Sequence, residues 1–339
     1  MSQGYKKETS FEDKIKLISQ IKDIEGVDLY GDWDVNLKNV DKVKEILDNY
    51  KLKTLTVTAN VCSLPEFGQG SITSPIKESR ELGWQKIMET IELARKLDSD
   101  MVNLWFGQDG YDYSFQVDYL WAWDTIIKTV KDAADYAGSD IKIVLEYKPR
   151  EPRTHIFTAS ATKMLFIIEK VGKDNVGVLI DTGHAYCAGE NIAESAAICK
   201  LAGNKLFYVH VNDNYKVWDD DMIVGSIHPF EMVEFLYWLE NLQYKGPLVL
   251  DMFPYREDQF RAANESGRKS TIITTNLSFE RWDEIFLDPV ITAAMIDRLM
   301  HKSYMVNMNG PSYRMKETKE WLAKQKEAEQ FLDGDVNKN

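Results

Sequence analysis

The sequence predicts an α/β chain built on a (β/α)8 TIM barrel whose first strand is weak or missing, followed by a C-terminal helical extension. Three observations carry this expectation. Short, almost continuously apolar runs recur between residues 27 and 253, as strands buried on both faces do. Longer amphipathic stretches separate them, in the alternation that builds a parallel sheet covered by helices. Acidic residues and histidines sit at or just after the C-terminal ends of the runs, where a barrel of this kind assembles its active site.

Taken in order, FEDKIKLISQI (11–21) reads as an opening helix, and VDLY (27–30) and TLTVTAN (54–60) as the first two strands. ESRELGWQKIMETIELARKL (78–97) carries apolar residues at helical spacing and leads into MVNLWF (101–106). The remaining strands are IKIVLEY (141–147), VGVLID (176–181), LFYVHVN (206–212) and PLVLDMF (247–253). That makes seven runs. The segment before the first helix, GYKKETS, is short and polar, so either it supplies a poor strand or the ring is incomplete there. A third route is closure by another segment or subunit, and SYMVNM (303–308) is one candidate. From about residue 260 the pattern changes to helical stretches such as VITAAMIDRLMHK and MKETKEWLAKQKEAEQFL. Residues 1–260 are therefore assigned to the barrel and 261–339 to an extension serving oligomer contacts, with a disordered end at DGDVNKN.

Composition narrows the function classes. A formal charge of −13 disfavours a nucleic-acid backbone as partner, because phosphate binding needs a basic face. The opening MSQGYKKETSFEDK lacks the apolar core of a signal peptide, and no window approaches a membrane span. Cys62, Cys187 and Cys199 form no metal-type or redox-type pair, a usage that fits the reducing cytoplasm. No Gly-rich phosphate loop follows the first strand, which disfavours a dinucleotide-binding sheet.

Four strand ends supply Glu146, Asp181, His210 and Asp251. A single carboxylate at such a place more often caps a helix or pairs with arginine. Four side chains from four strands instead make an oxygen-rich divalent site with one nitrogen, suited to Mn2+, Mg2+ or Co2+. His184 follows Asp181 by three residues and faces the same mouth if a helix starts there. Lys148 lies two residues beyond Glu146, placed to polarise a carbonyl or to pair with Glu151. Asp219, Asp220 and Asp221 are adjacent in VWDDDM and read either as a solvated loop or as a cation site.

A resemblance enters on these residues. EYKPREPR (146–153), VTANVCSLPEFGQGSITSP (57–75), LWFGQDGYDY (104–113), WDDDMIVG (218–225) and LDMFPYRED (250–258) resemble, in chain order, the signature segments of xylose isomerases. The chain is thus similar to the xylose isomerase-like barrel superfamily over about residues 15–260. The resemblance implies two metal sites, the first from Glu146, Asp181, His210 and Asp251, where xylose isomerases carry a carboxylate at the His210 position. The second uses Asp181 as a bridge with His184, Asp219 and Asp221, while Asp220 points away. It further implies Lys148 as the group that polarises the carbonyl, with Trp105, Tyr30, Asn212 and Arg256 lining the sugar pocket. Tyr30 stands where xylose isomerases carry a catalytic histidine, and Phe253 replaces a lysine.

The reading that results is a divalent-metal-dependent isomerase interconverting an aldose and a ketose, cytoplasmic and homo-oligomeric. Two enzymatic alternatives share the barrel. One is a sugar epimerase, in which Glu146 and Asp251 would shuttle a proton across opposite faces of a carbon. The other is the large subunit of a C-glycoside deglycosidase, a lyase acting on 3-keto C-glycosides with a small β-rich partner subunit. A sugar-binding protein without catalysis is the non-enzymatic alternative.

Overall fold

The computed structural model describes residues 9–253 and 256–268, with Ala293 alone beyond them. Its order of elements is α1 (Phe11–Ile18), β1 (Gly26–Tyr30), α2 (Val40–Tyr50), β2 (Lys53–Thr58), α3 (Lys77–Lys96), β3 (Met101–Trp105), β4 (Gly110–Tyr111) and α4 (Tyr119–Ala137). Then follow β5 (Lys142–Glu146), β6 (His155–Ile156), α5 (Ala161–Val171), β7 (Val176–Asp181), α6 (Thr182–Cys187), α7 (Ile192–Leu201), β8 (Leu206–Val211), α8 (Pro229–Asn241), β9 (Leu248–Leu250) and α9 (Gln259–Arg268). Seven strands form one parallel sheet in the order β1-β2-β3-β5-β7-β8-β9, while β4 and β6 pair separately as a short antiparallel ribbon above it.

The sheet is a nearly closed barrel. Asp28 on β1 hydrogen-bonds Tyr208 and His210 on β8, so the first strand and the sixth strand of the sheet meet across the interior. Among the described residues no strand fills the gap between β1 and β9. Thr9 and Ser10 of the GYKKETS segment form no strand; the Ser10 side chain instead accepts from the Asp13 amide and caps α1. The rest of that segment and SYMVNM lie outside the described residues. So does nearly all of the extension expected over 261–339, although α9 crosses the 260/261 boundary. No described helix is long and apolar enough to cross a membrane.

The helices form because apolar stripes meet local caps. Asp118, Ser160 and Asn191 each accept from an amide of the first turn of α4, α5 and α7. Their apolar faces pack on the outside of the strands into one large core that includes Ile87, Ile91, Ile126, Val130, Ile167 and Phe235. All six residues of β7 are buried, which is why VGVLID reads as a continuous apolar run.

Inside the barrel the two-residue period of a strand builds two layers. Met101, Val144, Leu179 and Tyr208 form a small separate cluster with Leu55, Phe207 and Val249. Two residues further along the same strands stand Asn103, Glu146, Asp181 and His210, and Asp251 follows Val249 in the same way. An apolar floor therefore supports a polar layer facing the C-terminal mouth.

Asp109 fastens the loops around that mouth. Fully buried, it accepts from the amide and hydroxyl of Ser71 and from the amide and hydroxyl of Thr73. Its own carbonyl accepts from the Phe157 amide. Replacing it by alanine strands four donors, so Asp109→Ala is expected to lower unfolding stability by about 2–4 kcal/mol. Urea denaturation measures this, and a loss below about 1 kcal/mol would show that water takes over the acceptor role.

Candidate metal centre

Strand ends deliver four of the site residues, while His184 comes from α6 and Asp219 from the loop after β8. β5 ends on Glu146, β7 on Asp181, and His210 is the penultimate residue of β8, with Asp181 and His210 direct partners in the ladder. Asp251 follows β9, its amide bonded to the Val211 carbonyl. The Asp181 carboxylate accepts from the His184 amide at 2.9 Å, which starts α6 and turns the His184 ring back to the mouth. Gly183 between them has no Cβ. A Cβ there would lie 2.3 Å from Asn212 Oδ1 and 2.9 Å from Asp219 Oδ1, so the approach of these side chains depends on glycine.

Two groups result, and they share Asp181. Glu146, Asp181, His210 and Asp251 bring one ligand atom each to within 4.8 Å of one another, and so do Asp181, His184 and Asp219. His210 Nδ1 stands 3.1 Å from Asp251, 3.7 Å from Glu146 and 3.8 Å from Asp181. His184 Nδ1 is 3.2 Å from Glu146, and its Nε2 is 3.0 Å from Asp219. Both Nδ1 atoms are buried and make no hydrogen bond, although carboxylate oxygens surround them. Ring nitrogens presented in this way, among hard oxygen donors, fit a divalent cation of the Mn2+, Mg2+ or Co2+ kind.

The electrostatics follow from burial set against neighbours. Burial alone would lower the two imidazoles, but the carboxylates around them hold their pKa well above the usual value. Burial alone would raise Glu146, and the two histidines hold it below the usual carboxylate range. Asp181 is pushed up to about 7 by burial, with Asp219 and Asp251 adding to the effect. Lys148 Nζ lies 2.8 Å from Asp219 and 3.4 Å from Glu151. These carboxylates outweigh the burial of Lys148 and keep it an ammonium, and the same ammonium and His184 hold Asp219 low.

The remaining expectations divide. Asp221 stays outside both groups: its φ of 47° breaks the alternation that would have aimed it with Asp219. Burial and the charges of Asp219, Asp251 and Asp181 push it up to about 9. Asp220 accepts from the Tyr215 amide. Asn212 is buried and holds Asp181 through both carboxylate oxygens, at 3.2 and 3.1 Å. Trp105 lies beside the site with its ring 5.7 Å from Lys148 Nζ. Tyr30 Oη is 3.0 Å from Cys62 Sγ, and its ring stacks on Trp33. Arg256 is exposed on the loop before α9. Two site residues escaped the sequence reading, namely Asn103, which donates to Glu146, and Asp28, which accepts from His210. Both are polar intrusions in apolar runs, VNLW and VDLY, and that was the available signal.

Fold and site together define a parallel α/β barrel with a carboxylate–imidazole centre at its C-terminal mouth. Residues 18–270 match the family model described as xylose isomerase-like TIM barrel, and the chain belongs to that family. A second model, for an IstB-like ATP binding protein, matches only residues 258–321 and assigns no family. The xylose isomerase of Thermus thermophilus is 30% identical over 224 residues, 65% of this chain and 58% of the relative. That of Thermus caldophilus is 29% identical over the same shares. The chain thus spans somewhat more than half the length of these curated relatives. Among solved structures, a D-tagatose 3-epimerase-like protein superposes with a TM-score of 0.59 at 23% identity, covering 72% of this chain and 86% of that one. A 3-keto-D-glucoside 4-epimerase of E. coli gives 0.60 at 16%, covering 77% and 94%. At these identities the structural likeness concerns the fold.

Two outcomes are expected. Protons on Asp181 and on both imidazoles compete with a cation, so Mn2+ affinity should rise as pH increases through about 7, with protons released on binding. Calorimetry in two buffers of different ionisation enthalpy reads the release, and identical heats would sink the competition. Elemental analysis should find less bound metal in Asp219→Asn and an unchanged content in Asp221→Asn.

Proposed function

We propose that the chain is a divalent-metal-dependent sugar isomerase that interconverts an aldose and a ketose. The observation that carries this reading is the second ligand group, Asp181, His184 and Asp219, with the Lys148 ammonium seated against Asp219. Together with the first group it supports two cation seats on a shared carboxylate, the arrangement that the resemblance to xylose isomerases implies. The name of the curated relatives agrees with it.

The reaction balances without a co-reactant. One hydrogen passes between C1 and C2, and one proton between the two oxygens they carry. A divalent cation held by Glu146, Asp181, His210 and Asp251 supplies Lewis acidity toward adjacent sugar oxygens. Lys148 Nζ, charged and nine-tenths buried, donates to the carbonyl oxygen and stabilises the negative charge that grows there. Asn212 keeps Asp181 oriented, and Asn103 does the same for Glu146. Trp105 offers an apolar wall beside the ammonium, which limits water around that charge.

A specific observation favours the epimerase as second reading: Glu146 and Asp251 flank the same His210 nitrogen, so two carboxylates border one position. Product analysis by NMR separates the readings. Aldoses, ketoses and 3-keto-glycosides are offered to metal-stripped protein with and without Mn2+, Mg2+ or Co2+. Aldose–ketose exchange that requires metal is expected, with Glu146→Gln inactive and Lys148→Met lowering kcat by about 10²–10³. Inversion at a single carbon would establish the epimerase instead, and release of an aglycone the lyase. Sugar binding without metal or turnover would remove the enzymatic reading altogether.

A further inference from the structure

His210 has two ring nitrogens, and only Nδ1 faces the other metal-ligating side chains. Its Nε2 lies 2.9 Å from Asp28 Oδ2 on the opposite wall of the barrel. The second oxygen of Asp28 accepts from the hydroxyl of Tyr208, two residues before His210 on the same strand. The Tyr208 ring in turn meets the His210 ring edge to face, with centroids 5.5 Å apart. Asp28 is itself mostly enclosed, with 18% of its side chain exposed. A carboxylate set there inside an apolar run needs donors, and these two supply them.

We infer that Asp28 is a positioning residue, which fixes His210 with the proton on Nε2 and the lone pair of Nδ1 directed at Glu146, Asp181 and Asp251. An imidazole that binds a metal through one nitrogen is held by what the other nitrogen donates to. Tyr208 completes a clamp by fixing the carboxylate that fixes the histidine. The inference rests on the reading of this group as a cation seat. It adds a residue from β1, a strand that contributes no ligand to either group.

The test is Co2+ binding by the full chain, followed by calorimetry and by the visible absorption of the bound ion. An Asp219→Asn background confines the readout to the group that contains His210. Asp28→Ala is expected to weaken Co2+ about 10–100-fold and to shift the visible bands, an effect on the bound ion distinct from the stability lost by stranding the Tyr208 hydroxyl. Asp28→Asn, whose amide oxygen still accepts from Nε2–H, should lose less, and Tyr208→Phe should fall between it and the parent. Equal affinity and identical spectra in Asp28→Ala and its parent would overturn the positioning role and leave the metal centre standing. Failure of the parent to bind Co2+ would overturn the centre and the inference with it. Should Asp28→Ala not fold, unchanged affinity and spectra in both Asp28→Asn and Tyr208→Phe would overturn the role.

Discussion

The structure depends on positive charge placed among clustered carboxylates, all buried except the half-exposed Asp251. Glu146, Asp181 and Asp251 gather within one group, and Asp219 joins Asp181 in another, each group spanning no more than 4.8 Å. At that separation two like charges repel by roughly 3–4 kcal/mol in a medium of effective dielectric 20. Without compensation the carboxylates would take up protons or the strands would part. Here His184, His210 and Lys148 stand among them, each with its charged form favoured by these same neighbours. The site is therefore poised. The carboxylates are already assembled around these charges, with Asp219 held by His184 and Lys148.

Assembling those charges is the work of the strand period. One residue step turns a side chain from the barrel interior to the helices, and two steps lift it from the apolar floor to the mouth. Leu179 and Asp181 share a face for this reason, as do Tyr208 and His210. A slip of one residue in β7 would bury Asp181 against the helices and leave Ile180 at the mouth. The pairing of β7 with β5 on one side and β8 on the other holds the register. Floor and site are thus specified by the same hydrogen-bond ladders.

Much of this was legible in the sequence because its signals are local. A carboxylate or histidine closing an apolar run is visible without a structure, and Glu146, Asp181, His210 and Asp251 were found in this way. His184 was legible from its spacing to Asp181, since an aspartate three residues earlier is also a helix cap. What escaped depends on distant strands or on backbone angles. Asp28 matters because β1 meets β8 across the interior, 182 positions apart in the chain. Asn103 matters because β3 and β5 are neighbours in the sheet. The pairing of Asp219 with Asp221 rested on extended alternation, and Asp221 adopts a left-handed φ instead. The bond from Asn212 Nδ2 to Asp181 also joins two strand ends, those of β7 and β8, and was not visible in the sequence.

Tyr30 sets a phenol beside the carboxylate–imidazole groups. It closes β1 at the mouth, at the position where xylose isomerases carry a histidine. An imidazole exchanges protons near neutral pH, which a phenol does not. Burial raises Tyr30 further above its ordinary value, Cys62 and Glu146 add to the rise, and its hydroxyl is engaged by the Cys62 thiol. Its outer face is stacked on Trp33. Tyr30 therefore keeps its proton near neutral pH, its hydroxyl set against Cys62 and its ring against Trp33. No residue of the two carboxylate–imidazole groups lies on β1, although Asp28 of that strand reaches His210 from two residues before Tyr30. One strand thus carries both Tyr30 and the carboxylate that reaches His210, and the two-residue step between them keeps both on the interior face.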